Sequence, residues 1–123
     1  MASNSSPFPI TNLSNPVSIK LDNTNYLLWK DQLESIFISC DLMGHLDGST
    51  SAPPLTITST TETNSSTTSI TPNPKYHIWR KTDHFVRVCV NATLTESLSS
   101  HILGLQTTKE VWDALVNFFN NSL

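Results

Sequence analysis

Between Ser49 and Thr71 the chain carries fifteen Ser or Thr residues in 23 positions, interrupted by Pro53-Pro54, with Glu62 as its single charge. A tract this poor in apolar side chains cannot bury enough area to offset the entropy of ordering its backbone. Any core must therefore come from the segments on either side, and residues 49–72 are expected to be a disordered linker. Leu55 and Ile57 alternate with Thr as in a short strand, but no partner run of matching alternation follows, so the strand reading is set aside. Residues 1–14, rich in Ser, Asn and Pro, are expected to be a disordered arm on the same grounds. A length of 123 residues suits one domain, so residues 15–48 and 73–123 are read as two parts of one core.

The flanks carry helical periodicity. Val17, Ile19 and Leu21 alternate as in an extended segment, and Asp22-Asn23-Thr24-Asn25 then offers several helix N-caps. Trp29, Leu33, Ile36, Phe37 and Cys40 fall on one stripe of the helix that follows, with Gly44 and Gly48 marking its end and a turn. Asn73-Pro74 reads as a cap with proline in the first turn. Tyr76, Trp79, Val86 and Val90 make the next stripe, widened by Phe85 and Cys89. Thr93-x-x-Glu96 and Thr107-x-x-Glu110 read as capping boxes. Leu98, Ile102 and Leu103 make a short amphipathic turn ending at Gly104. The last helix is the best marked, with Val111, Trp112, Leu115, Phe118 and Phe119 on one face. Its apolar stripe runs almost to Leu123, which reads as truncation. The expected fold class is all-α: a small helical bundle with a short extended segment before the first helix and a long disordered insert.

Chemistry is harder to find. No Gly-x-Ser-x-Gly elbow occurs, Asp47-Gly48-Ser49 has the reverse order of an aspartic protease motif, and three glycines, Gly44, Gly48 and Gly104, cannot make a phosphate-cradling loop. Cys40-x4-His45 matches half a zinc knuckle, but Phe37 and Thr50 stand where the remaining cysteines belong. His77 and His84 lie seven apart with Lys81 between them, as on a polar helix face. The sequence therefore nominates no catalytic, cofactor or metal residues, and no small-molecule substrate. Cys40 and Cys89 sit in apolar patterns and are expected to be free thiols in a reducing compartment.

The seven lysines and arginines are scattered, with only Arg80 and Lys81 adjacent, and the net charge is −3. That balance does not support RNA binding through phosphates. The N-terminus lacks a basic, apolar leader, and no apolar run nears the roughly 20 residues needed to span a bilayer, so a cytoplasmic location is expected. The three tryptophans, Trp29, Trp79 and Trp112, are read as core residues.

Taken in order, Ile19-Lys20-Leu21, Asn25-Tyr26-x-x-Trp29, Leu42-x-Gly44-x-Leu46-Asp47-Gly48, the Ser/Thr gap, Asn73-Pro74-x-Tyr76-x-x-Trp79, Leu94-x-Glu96-Ser97-Leu98 and Thr108-x-Glu110-Val111-Trp112-x-Ala114-Leu115 resemble the N-terminal Gag region of plant Copia-type LTR retrotransposons. The resemblance covers residues 15–123. Asn23 or Thr24 stands where the family often has Gly before Asn-Tyr. The resemblance implies a capsid-like helical module that self-associates or joins other Gag-like chains around the element's RNA. In the family, further helices and a zinc knuckle follow, and the chain is read as a truncated or domesticated remnant of such a Gag. The competing reading is a nucleic-acid-associated adaptor that keeps Gag-like RNA binding without the knuckle.

Overall fold

The computed structural model describes residues 20–60 and 68–120. The arm expected over 1–14, residues 16–19 of the extended segment expected over 16–21, and the end of the chain beyond Asn120 lie outside the described residues. The elements are α1 (Tyr26–Ser39), α2 (Gly44–Asp47), β1 (Thr56–Thr60), β2 (Thr68–Pro72), α3 (Pro74–Asn91), α4 (Glu96–His101) and α5 (Thr108–Asn120).

Local chemistry sets most of the boundaries. The polar run before α1 folds back on itself: Asp22 Oδ1 accepts from Thr24 N and Oγ1, both at 2.7 Å, and Asn25 Oδ1 accepts from Asp22 N at 2.9 Å. These side chains build a turn and leave the first amides of α1 without a side-chain cap. Past Ser39 the chain leaves the helix through Asp41 in a left-handed conformation, φ 61°. It then makes the extra turn α2, which closes on Gly48 at φ 87°. At α3 the expectation holds: Asn73 Oδ1 accepts from Lys75 N at 3.0 Å with Pro74 in the first turn. At α5 the capping box is reciprocal. Glu110 N donates to Thr107 Oγ1 at 3.2 Å, while Thr107 N and Gln106 N donate to Glu110 Oε1.

The other expected box does not form. Thr95, not Thr93, caps α4, and it makes no side-chain cap bond. Thr93 is drawn into the core, where its hydroxyl donates to Val90 O at 2.7 Å and accepts from Trp29 Nε1 at 2.9 Å. A buried indole N–H without a partner costs more than an uncapped amide open to water, so the core claims the hydroxyl.

Trp29 is fully buried at the centre of the helical body, 5.5 Å from the ring of Trp112. Tyr26 stacks on Phe119 at 4.8 Å, tying the start of α1 to the end of α5. Leu33, Phe37, Leu46, Val86, Val90 and Val111 complete the interior. Leu21, also fully buried, pairs in parallel with Leu94 and donates from its amide to Thr93 O at 2.8 Å, so the extended entry to α1 is docked on the α3–α4 junction.

The body is helical, but the chain is not strictly all-α. β1 and β2 form an antiparallel pair with Thr58 opposite Ile70 and Ile57 opposite Thr71. This hairpin occupies the tract expected to carry no strand, and the partner run that Leu55 and Ile57 lacked is Thr68–Pro72; residues 61–67 lie outside the described residues. β-branched Thr and Ile suit an extended backbone even without a core to cover. Accordingly, Leu55, Ile57 and Ile70 all remain exposed. The base of the hairpin is fastened to the helical body: Asn73 N donates to Leu55 O at 3.0 Å, and Asn73 Nδ2 donates to Pro54 O at 2.8 Å.

Candidate interaction surface

Helix α3 carries three kinds of face. Val86, Cys89 and Val90 point into the core, Asp83 enters a buried polar junction, and the outward side presents His77, Ile78, Arg80, Lys81, His84 and Val88.

At the junction, Asp83 Oδ1 lies 3.1 Å from His45 Nδ1, and Asp83 Oδ2 accepts from Thr108 N at 3.0 Å. The Thr108 hydroxyl donates to the Asp83 carbonyl at 2.7 Å. All three residues are buried. Burial pushes the Asp83 carboxyl up, but the hydrogen bonds from His45 and Thr108 outweigh it and hold the group below its ordinary 3.8. Trp79 covers the His45 ring at 5.5 Å and donates from Nε1 to Thr50 O at 2.8 Å, so α2, the following loop, α3 and the start of α5 meet here. Both carboxylate oxygens of Asp83 are engaged in holding elements together, which makes the junction a clamp. Sequence reading missed it because Asp83 stands on a helix as any solvated carboxylate would, and its partners lie 38 and 25 residues away.

Trp79 itself is half-buried, unlike Trp29 and Trp112. The expectation of three core tryptophans thus holds for two, and the third fastens the loop after α2 to α3.

The outer side of α3 borders a groove of about 590 Å³, floored by Phe85 and Val88 and edged by His77, Arg80, Lys81 and His84. The two histidines set aside as ligands therefore line a surface. α3 holds Lys75, Arg80, Lys81 and Arg87, four of the seven basic residues, and a single acid, Asp83. Its formal charge is +3, and because the whole chain carries −3, the remainder carries −6. This corrects the picture of scattered basic residues. The signal lay in the sequence, in a count taken helix by helix and not along the whole chain. Arg87 is partly withdrawn from the surface, donating to Leu105 O.

Helices α1 and α3 also leave aliphatic side chains in solvent. On α1, Leu27 and Ile38 are 66% and 63% exposed; on α3, Ile78 and Val88 are 66% and 64% exposed. With Leu28, also exposed on α1, five such residues on two helices exceed the scatter of single exposed side chains that needs no explanation.

Cys40 and Cys89 are free, and neither draws a metal set. Burial raises the Cys40 thiol, and burial together with the neighbouring Cys40 pushes Cys89 up to about 11, so both stay protonated as packing groups. Half-knuckle partner His45 is committed to Asp83. Among the described residues no three His, Cys, Asp or Glu side chains converge as for a metal ion, and no helix is long and apolar enough to cross a membrane.

No family model and no solved structure matches the chain. It is 32% identical, over 112 aligned residues covering 89% of its length, to the retrovirus-related Pol polyproteins from transposons RE1 and RE2 of Arabidopsis thaliana. It spans 7% of the length of those polyproteins. By sequence, then, the chain is similar to a short segment of plant transposon polyproteins, and this similarity supports an origin in such an element.

Proposed function

We propose that the chain is a structural assembly module, corresponding to the N-terminal, capsid-like part of a Copia-type Gag, that acts by self-association and carries out no turnover chemistry. The observation that carries this reading is the exposed aliphatic set Leu27, Ile38, Ile78 and Val88 on the outward sides of α1 and α3. Exposed apolar faces on a small domain mark contact surfaces. The similarity to transposon polyproteins supports the reading, as does the order of short motifs from Ile19 to Leu115. The clamp at Asp83 serves it by keeping α2, α3 and α5 rigid, so that the outward helix faces hold a fixed geometry.

Size-exclusion chromatography with light scattering across a concentration series tests it. Mass is expected to rise from one chain to dimers and larger species. A single-chain mass at every concentration, with a cooperative melt and no binding of a hydrophobic dye, overturns it.

A second reading, a nucleic-acid adaptor, is favoured by one observation, the concentration of basic residues on α3. It requires RNA binding that weakens steeply with salt.

A further inference from the structure

The outward faces of α1 and α3 have the same layout with opposite charge. On α3, Ile78, Lys81, Phe85 and Val88 recur at i, i+3, i+7 and i+10 on one stripe, so the two aliphatics stand about 15 Å apart at 1.5 Å per residue with Lys81 between them and His84 at the edge. On α1, Leu27 and Ile38 stand eleven residues apart, about 16 Å, with Asp31 and Glu34 between them. Each face is therefore aliphatic at both ends and charged in the middle, basic on α3 and acidic on α1. Lys30 is paired with Glu34 at 3.0 Å along the same helix, and Asp31 stands exposed beside them.

We infer that the outward stripe of α3 in one copy, from Ile78 to the groove floor at Phe85 and Val88, receives the α1 face of a second copy, with Lys81 meeting Asp31 and the aliphatic ends packing on each other. The inference rests on the assembly reading above and names its two surfaces. Charge complementarity selects a second copy as the occupant: the exposed Lys81 in the middle of the α3 stripe matches the exposed Asp31 in the middle of the α1 stripe, on a chain whose charge outside α3 is −6. A nucleic acid would satisfy the basic residues but leave Ile78 and Val88 without an apolar partner, and it would be repelled by the remaining surface. Because the two faces differ, the contact is heterologous. Each added copy leaves one free face of each kind, so the assembly extends into a filament or closes into a ring and does not stop at a two-fold dimer.

The test uses the full chain, its variants Lys81→Glu and Asp31→Lys, and the double variant, followed by sedimentation velocity over a concentration series. All three alter exposed side chains, and helical circular dichroism confirms their folding. The parent is expected to grow with concentration, and each single variant to need about tenfold more protein to do so. An equimolar mixture of the two single variants is expected to regain growth, since the two unchanged charges pair at one contact and the two exchanged charges at the next. The double variant, with both charges exchanged, is expected to regain growth. Growth of both single variants equal to the parent's overturns the inference while leaving self-association intact. A parent that stays a single chain at all concentrations overturns the assembly reading and this inference together. Salt-dependent capture of a single-stranded RNA oligonucleotide that Lys81→Glu abolishes, without change in self-association, replaces the inference with the nucleic-acid reading.

Discussion

Trp29 and Ile70 belong to regions of this molecule that are ordered for different reasons. Around Trp29, the indole is fully buried beside the rings of Tyr26 and Trp112, its N–H has a partner in Thr93, and the order comes from removing apolar area from water. Around Ile70, the strand is paired through its backbone to β1 while the side chain stays two-thirds exposed. An isolated two-stranded hairpin is marginal in water, so β1–β2 draws its support from the anchors at its base and not from burial. The comparison teaches that regular hydrogen bonding and thermodynamic weight are separate properties. The helical body carries the stability, and the hairpin rides on it.

Removing the interior half of that comparison should have the largest effect. Trp29→Ala and Trp112→Ala are each expected to cost about 3–5 kcal/mol, enough to unfold a domain of this size, with the loss read from denaturant midpoints. A midpoint equal to the parent's for either variant would show that burial is not what holds the body together.

Next comes the clamp. Asp83→Ala strips partners from His45 and the Thr108 amide and is expected to cost about 2–3 kcal/mol in the same titration. The folded carboxyl is held below 3.8, so the unfolded chain binds the extra proton. The stabilisation is therefore complete above the unfolded value and is lost as pH falls through the folded value. Asp83→Asn should flatten the acid limb of the stability profile, and an unchanged limb would remove Asp83 as its source.

Trp79 tests the border between the two regions. Its ring is half-buried and its N–H holds Thr50, so Trp79→Ala is expected to cost about 1–2 kcal/mol, less than either core tryptophan. A loss matching that of Trp112→Ala would place Trp79 in the core after all.

The smallest effect is expected from the hairpin. Leu55 O and Asn73 N are already hydrogen-bonded, so residues 56–71 can be replaced by a short Gly/Ser turn without moving the anchors. The stability read from the denaturant midpoint is expected to stay within about 0.5 kcal/mol of the parent's, as is typical of surface changes. A greater loss, or loss of helical circular dichroism, would show that the strands contribute to the core.

Much of the helical body was legible because its signals are local. The stripes through Trp29 and Val111, the Asn73-Pro74 start and the Thr107–Glu110 box depend on residues within a few turns of one another, and the structure keeps each of them except at Phe118, which is 43% exposed. The Thr93–Glu96 box was a sound local reading that failed because a residue 64 positions away, Trp29, needed the same hydroxyl. The hairpin was passed over because composition measures the capacity to bury area, and a strand pair supported at its base does not require burial. The α3 surface lay between these cases. Its charges were countable, but their exposure and the groove beneath them were not.

What the sequence determined by itself is which residues form helices and which side of each helix is apolar, because both follow from spacing over about a dozen residues. It also carried the ordered motifs that resemble a transposon protein. Tertiary structure alone decided where the polar atoms went. Asp83 became the partner of His45 and Thr108, Thr93 the partner of Trp29, and Trp79 a fastening for the loop at Thr50. A buried donor or acceptor takes whatever partner the packed chain brings within about 3 Å, and nearness in space between residues tens of positions apart is not written in any local pattern.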